Sequence, residues 1–323
     1  MFDIVFLGTS ASAPSIHRGL SAAAVLAGED RFLVDCGEGT QRQILRSGIG
    51  FKKLNHIMLT HGHLDHILGL GGLVSTFTRW ETIDDFTIWG GKTTLQRVES
   101  LLYGVVFPNQ QTPVPVHLKP VEPGIFYRGK KFTVTAFPVV HRGPDCYGYI
   151  FKEDDHRPFL AEKADALGVP FGPERGRLVQ GQAVTLADGS VIQPEEVLGE
   201  TIPGVKVVFT GDVGRIEPLL PHVQDADALV IEGTFLHEEA DMARRFGHLT
   251  IRQGAEIARN ANVRNLLVTH VSRRYRERDM LNEARAIFPE VHLVRDFDQF
   301  TIRRDKPMVK SRASYRNTPE NDA

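Results

Sequence analysis

Thr60-His61-Gly62-His63-Leu64-Asp65-His66 places three imidazoles and a carboxylate side by side, directly after the apolar run Ile57-Met58-Leu59. That run reads as a buried strand, so the polar cluster falls on the loop at its end. In an extended turn the alternating His61 and His63 project to one side and can share an ion, while Asp65 and His66 are better placed to hold a second. Two divalent cations about 3.5–4 Å apart can clamp a hydroxide and brace both oxygens of a displacement at phosphorus or a carbonyl. A surface cluster of titrating histidines is the competing reading. Four ligand-type side chains at this spacing behind a strand argue against it.

A dinuclear site built from His61, His63, Asp65 and His66 still needs a bridging carboxylate and outer histidines, and these too belong at strand ends if the site tops a sheet. Three segments qualify. His141 closes the strand-like run from Phe132 to Val140, Asp212 follows Val205-Lys206-Val207-Val208-Phe209-Thr210-Gly211, and His270 follows Asn265-Leu266-Leu267-Val268-Thr269. Each is a β-rich apolar run ending in a metal-competent side chain. The series HxHxDH, then His, Asp and His, resembles the ligand series of the metallo-β-lactamase superfamily across essentially the whole globular length. That resemblance implies an α/β fold, a four-layer αββα sandwich with the ligands at one rim of its two sheets.

Within the superfamily the sequence resembles the bacterial ribonuclease Z family, which processes tRNA 3′ ends. The matching stretches are Phe6-Leu7-Gly8-Thr9-Ser10-Ala11-Ser12-Ala13-Pro14 with Arg18-Gly19, Leu33-Val34-Asp35-Cys36-Gly37-Glu38-Gly39-Thr40-Gln41, Ile231-Glu232-Gly233-Thr234-Phe235 and Gly247-His248-Leu249-Thr250. An insertion carrying Gly168-Val169-Pro170-Phe171-Gly172-Pro173 and Gly176-Arg177-Leu178 resembles the family's substrate-binding arm. Two positions depart from it: Leu249 stands where Ser is commoner and Arg177 where Lys is frequent. Neither is a ligand position.

The resemblance implies that His61, His63 and His141 hold one zinc ion, that Asp65, His66 and His270 hold another, and that Asp212 bridges them, giving two zinc ions per subunit. It implies Asp65 as the proton acceptor that orients or deprotonates the attacking water, and His248, positioned by Glu232, as the group that protonates or stabilises the departing oxygen. The expected reaction is endonucleolytic removal of the 3′ trailer from precursor tRNA, leaving a 3′-hydroxyl on the tRNA and a 5′-phosphate on the trailer. The implied partners are precursor tRNA and a second copy of the chain in a homodimer. Arg175 and Arg177 on the arm are candidate phosphate contacts, as are Arg273, Arg274, Arg276 and Arg278 after His270; a solvated helix face is the other reading of the latter four. Two alternatives stay open: another hydrolase of the same fold, acting on general phosphodiesters or small esters, and a non-catalytic RNA-binding protein with a structural metal site. The arm and the Glu232/His248 pair argue against the ester hydrolase, and the full ligand series argues against the non-catalytic protein.

Composition is compatible with this and narrows the partners. With 323 residues and 41% hydrophobic content the chain can bury a sizeable core. A net charge of −2 gives no bulk basic signature, so a nucleic acid must be held by local patches. Cys36 and Cys146 form no C-x-x-C pair, which suits a reducing cytosol. The opening Met1-Phe2-Asp3 has no basic region, its apolar stretch is too short for a signal peptide, and no segment is long enough to span a bilayer. A cytoplasmic location without a membrane is the expectation.

The expected layout is a catalytic domain over residues 1–304, interrupted by the arm at 153–203, and a disordered tail over 305–323. Strands are expected at Phe2–Leu7, Ala22–Ala27, Arg31–Val34, His56–Leu59, Phe86–Trp89, Val116–Val121, Phe132–Val139, Val205–Thr210, Ala228–Glu232, Leu266–Thr269 and Phe300–Arg303. Helices are expected at Thr40–Ser47, from His66, at Thr93–Tyr103, Ile216–Val223, Glu238–Arg245, Ile251–Asn260 and Asp279–Phe288, with one in the arm around Leu160–Leu167. Gly69, Gly71 and Gly72 in the second helix are expected to permit close packing over the metal loop.

Overall fold

The computed structural model describes residues 1–80, 83–108, 112 and 114–314. In chain order its strands are β1 (Phe2–Gly8), β2 (Ala22–Ala27), β3 (Asp30–Val34), β4 (His56–Met58), β5 (Phe86–Gly90), β6 (Val116–Pro120), β7 (Gly124–Arg128), β8 (Phe132–Pro138) and β9 (Tyr147–Glu153). They continue with β10 (Val184–Thr185), β11 (Val191–Ile192), β12 (Lys206–Phe209), β13 (Ala228–Glu232), β14 (Leu266–Thr269), β15 (Val291–Leu293), β16 (Asp298–Ile302) and β17 (Val309–Arg312). One sheet runs β17-β16-β1-β2-β3-β4-β5-β6 and the other β15-β14-β13-β12-β9-β8-β7.

Alternation along each strand builds the layers, because successive side chains leave opposite faces of the backbone. On β1, Phe2, Ile4 and Phe6 enter the core between the sheets, while Val5 and Leu7 enter the core under the helices Thr40–Ser47, Gly69–Trp80 and Lys92–Leu101. On β13, Ala228 and Val230 face the other sheet, whereas Leu229 and Ile231 meet the helix Ile251–Asn260. Strands covered on both faces read as continuous apolar runs, which is why they were legible. The central layer is closed by edge-to-face rings across the two sheets, such as Phe32 with Phe151 at 5.3 Å and Phe2 with Phe132 at 5.9 Å. The result is the expected αββα sandwich.

Both sheets contain parallel runs, β3-β4-β5-β6 and β12-β13-β14-β15. Parallel strands joined by helical crossovers bring their carboxyl ends to one rim, and the loops there are where such folds place their chemistry. Asp35 follows β3, His61 lies just beyond β4, Asp212 beyond β12, Glu232 ends β13 and His270 follows β14. Tyr149 ties the sheets together directly behind that rim, its hydroxyl donating to the Leu59 carbonyl at 2.6 Å. Of the three glycines, Gly69 makes the closest backbone approach: a Cβ there would lie 2.1 Å from the Gly37 carbonyl oxygen. At Gly72 the obstacle would be the Gln41 side chain, and at Gly71 only the tip of Val106.

Outside the segment 153–204, four of the described strands went unforeseen. β7 and β9 lie beside turn-forming glycines that mask their pattern, β15 has three residues, and β17 is exposed throughout. β17 corrects the expectation of disorder from residue 305: Val309–Arg312 pairs antiparallel with β16, Thr301 opposite Val309 and Asp298 opposite Arg312. An edge strand needs backbone pairing but no apolar face, so hydrophobic periodicity does not reveal it. Residues 315–323 of that expected tail lie outside the described residues. Two helices also differ: the one expected to Tyr103 ends at Leu101 and widens into a π-turn at Leu102–Val106, and the one at 216–223 divides into Glu217–Leu219 and Leu220–Val223 around Pro218 and Pro221.

Residues Glu153–Gly204 form a compact unit of their own. The unit carries the helix Ala161–Ala166 where one was expected, and adds Pro173–Val179, the β10/β11 hairpin and the turn Pro194–Val197. Ala164, Val169, Leu178, Val184, Ile192 and Val197 make its small core. Gln193 and Glu196 cap the last turn reciprocally. Arg175 is committed internally, to Asp165 at 2.5 Å and to the Val169 carbonyl, with its guanidinium over the Phe171 ring. It builds the unit and is not a free phosphate contact.

Tyr149→Phe deletes one buried hydrogen bond and leaves the Leu59 carbonyl without that donor. The expected loss is about 1–3 kcal/mol of stability, read from denaturant unfolding. An unchanged midpoint would show that the hydroxyl does not hold the sheets together.

Candidate metal centre

The cluster after β4 is held in place by residues remote in sequence. Asp35, in the left-handed region at φ 59, accepts from the Thr60 amide at 2.8 Å and from the Thr60 hydroxyl at 2.9 Å. From the other sheet, Gly211 at φ 64 packs so closely that a Cβ would lie 2.6 Å from Thr60 Cβ. Any larger residue there would push the two ligand-bearing loops apart.

The donor atoms converge in overlapping groups. His61, His63, His141 and Asp212 form one, Asp65, His66 and His270 a second, and Asp212, His248 and His270 a third, with all donor atoms in each group within 4.8 Å of one another. His61 Nε2 lies 2.8 Å from His63 Nδ1, which in turn lies 3.3 Å from His141 Nε2. Asp212 faces both sides: its Oδ2 stands 3.7 Å from His61 Nε2, 3.9 Å from His141 Nε2 and 3.5 Å from His66 Nε2, and its Oδ1 3.5 Å from His270 Nε2. Asp65 Oδ2 is 3.3 Å from His270 Nε2 and accepts from the Ser12 amide at 3.0 Å. Ligand atoms held tetrahedrally by a zinc-sized ion stand about 3.3 Å apart, so the separations in the first two groups fit a cation.

Two further observations favour cations. His66 Nε2 is buried with no hydrogen-bond partner although it points between Asp65 and Asp212. A buried polar atom left in that state is costly unless something unseen satisfies it. In addition, four of the imidazoles are anchored through Nδ1, which frees Nε2: His61 on Thr60 at 3.0 Å, His66 on Asp35 at 2.8 Å, His141 on the Gly247 carbonyl at 2.7 Å and His270 on Thr234 at 3.0 Å. Anchoring of this kind fixes tautomer and ring orientation at metal sites.

Electrostatics fit the same reading. Burial, reinforced by the neighbouring imidazoles, holds His61 well below its ordinary pKa and brings His63 down to about 4; burial likewise lowers His141. These three are therefore neutral at pH 7, the form that donates a lone pair. At His66 burial opposes the charge, but Asp212 and Asp35 outweigh it and raise the pKa well above the usual value. Burial also opposes ionisation of Asp212 and Asp65, and the facing histidines overcome it and hold both carboxyls low. The site thus gathers negative charge that a proton on His66 meets here and a divalent cation can meet instead.

Beside this cluster, His248 Nδ1 lies 3.0 Å from Glu232 Oε1, and that carboxylate also accepts from the Val213 amide at 2.7 Å. Burial works against the imidazolium, yet Glu232 and Asp212 raise His248 to about 9. Its Nε2 carries no hydrogen bond among the described residues.

The structure brings together all nine residues singled out in the sequence: His61, His63, Asp65, His66, His141, Asp212, Glu232, His248 and His270. Asp35, Thr60 and Thr234 were missed as positioning groups. Thr234 links Glu232 Oε2 at 2.5 Å to His270, and Asp35 could have been found as an acidic residue ending a strand. Of the arginines after His270, Arg274 pairs with Glu239 at 3.2 Å and Arg278 lies 3.7 Å from Asp279. Arg273 and Arg276 are exposed and form no ion pair among the described residues.

A family model described as a β-lactamase superfamily domain matches residues 30–201 and 182–271. A ribonuclease Z of Bradyrhizobium diazoefficiens is 45% identical over 302 residues, covering 94% of this chain and 100% of the relative. A ribonuclease Z of Haloferax volcanii is 41% identical over 288 residues, 88% of this chain and 89% of the relative. The crystal structure of human tRNase Z, short form, superposes with a TM-score of 0.62 at 22% identity, covering 93% of this chain and 99% of that one. At that identity the likeness is one of fold.

Asp35→Asn keeps the left-handed backbone that Asn tolerates but removes the charge behind His66. Metal affinity, measured by chelator competition on the metal-free protein, is expected to fall about 10–100-fold. Parent-like affinity would remove Asp35 from the site.

Proposed function

The chain belongs to the ribonuclease Z family and is an endoribonuclease, and from that premise we propose that it removes the 3′ trailer from precursor tRNA. The observation that carries this reading is the position of Asp212, within 3.9 Å of imidazoles from both ligand groups and 3.7 Å from the His248 that Glu232 holds. That arrangement suits hydrolysis of a phosphodiester, where an attacking and a departing oxygen need help at once.

His61, His63 and His141 would hold one zinc ion and Asp65, His66 and His270 a second, with Asp212 shared. When bound, two such ions supply Lewis-acid stabilisation of charge on the phosphoryl oxygens and make water a stronger nucleophile near neutral pH. The residues do the rest. Asp65, fixed by the Ser12 amide, accepts a hydrogen bond from the attacking water and orients it. As the new P–O bond forms and the P–O3′ bond breaks, the tRNA 3′ oxygen takes up a proton. His248 is placed to give it: Glu232 occupies Nδ1, which leaves the Nε2 proton for the leaving oxygen. The products are a 3′-hydroxyl on the tRNA and a 5′-phosphate on the trailer.

The unit at Glu153–Gly204 is assigned as the substrate-binding arm, within a catalytic domain over the remainder of 1–304. The support is the sequence resemblance of its Gly168–Leu178 stretch and the independent core that lets it stand as a module. The homodimer rests on the same family resemblance. A cytoplasmic site of action agrees with a tRNA substrate, and no helix among the described residues is long and apolar enough to cross a membrane.

Incubating the zinc-loaded protein with end-labelled precursor tRNA and mapping the cut tests the reading. Cleavage at the trailer junction with a 3′-hydroxyl is expected, and His248→Ala is expected to slow it about 10²–10⁴-fold with metal content unchanged. Failure to cut, or parent-like rates in the variant, would overturn the substrate or the leaving-group assignment respectively.

A further inference from the structure

Next to the metal loop lies a concave pocket of ≈ 480 Å³, walled by the loop Pro14–Gly19, one side of the helix Thr40–Ser47 with Glu38 and Gly39 before it, Asp296 and Phe297, and Arg312 on β17. Both of its main walls spring from the catalytic rim. Ser12, two residues before Pro14, donates its amide to Asp65, and the helix begins five residues after Asp35.

The charge here is unlike that of the whole chain. Arg18, Arg42, Arg46 and Arg312 line the pocket with His17, against the carboxylates Glu38 and Asp296, in a protein whose net charge is −2. Asp296 is already engaged, by the Thr9 hydroxyl, the Gly19 amide and the Gln43 amide group, all at 2.7 Å. Arg18 is buried and bound to Glu277 at 2.6 Å, so it is part of the framework. Arg42, Arg46 and Arg312 are exposed, and none forms an ion pair among the described residues. Two of them are held ready: the Arg46 guanidinium stands 4.8 Å and that of Arg312 5.9 Å from the centre of the Phe297 ring. Arg46 also donates to Gln43 Oε1 at 3.0 Å, and guanidiniums placed in this way around a hollow, with no acid taking up their charge, are suited to phosphate oxygens.

We propose that this pocket binds the phosphodiester backbone of the single-stranded RNA flanking the scissile bond. The inference rests on the tRNA-processing reading above and names where the strand runs beside the site. A hollow of this size takes a nucleotide and not a helical stem. Arginines alone grip the backbone without reading sequence, as variable flanking sequences require. Two single-stranded segments could supply the phosphates, the trailer and the unpaired end on the tRNA side of the cut.

The test measures binding of precursor tRNA with trailers of one and ten nucleotides across a salt titration. It compares the parent with the triple variant R42A/R46A/R312A and the triple variant R42K/R46K/R312K. For the alanine variant, affinity is expected to fall at least about tenfold and the log–log salt slope to drop by up to about 2, at about 0.7 per lost single-strand phosphate contact. The lysine variant is expected to recover most of the slope, since it restores charge without stacking. Loss confined to the long trailer places the trailer in the pocket, and equal loss for both places the tRNA-side strand there. If the triple alanine variant melts early, Arg42→Ala alone decides, since that side chain makes no hydrogen bond or ion pair among the described residues and should still lower the slope. Parent-like affinity and slope in these variants, while the parent cuts the precursor, would overturn this inference alone. A parent that does not cut the precursor would overturn the reading beneath it.

Discussion

Asp212 is 3% exposed and faces five imidazoles, those of His61, His66, His141, His248 and His270. A carboxylate that deep is tolerable only with compensating charge and hydrogen bonds close by. Much of the molecule serves that requirement. Two sheets packed through Phe2, Phe32, Phe132 and Phe151 bring the carboxyl ends of β4 and β12 to one rim. Tyr149 fixes the sheets behind it, and Gly211 lets the two loops touch. If the sheets slid by one residue, alternation would turn the core faces outward, so the apolar pattern that stabilises the sandwich also fixes the site.

The site's anchors show how function is divided between near and far residues. Donor atoms from the chain's first half meet those from the second at Asp212 and between Asp65 and His270, while Asp35 and Thr234 act one bond further out, on His66 and His270. Glu232 serves both parts: one oxygen holds His248 and the other, through the Thr234 hydroxyl, reaches His270. A change at Glu232 would therefore disturb both His248, the imidazole proposed to serve the leaving group, and a candidate ligand. That coupling separates it from a pure acid–base partner.

Much of this was legible in the sequence, for identifiable reasons. The cluster at His61–His66 is local, and His141, Asp212 and His270 each follow an apolar run whose end the α/β rule marks as the place for chemistry. Asp35 obeyed the same rule but carried no lone metal-site signature; its role appears only through a hydrogen bond to a residue 31 positions away. β17 escaped because an exposed edge strand is specified by the backbone of its neighbour. Apart from the helix Ala161–Ala166, the arm's elements escaped because each is a few residues long, and its Arg175, which looks like a free cation in sequence, is spent inside the unit. The pocket arginines escaped because Arg42 and Arg312 lie at opposite ends of the chain. With an overall charge of −2, RNA binding has to come from such local patches.

Asp212 is proposed to organise two cations. Elemental analysis of the purified parent and of Asp212→Ala, each dialysed against the same metal buffer, tests it most directly. Two metal ions per parent chain and a large loss of both from the variant, with the fold intact by far-ultraviolet circular dichroism, is the result this account expects. Two ions retained by Asp212→Ala would contradict it.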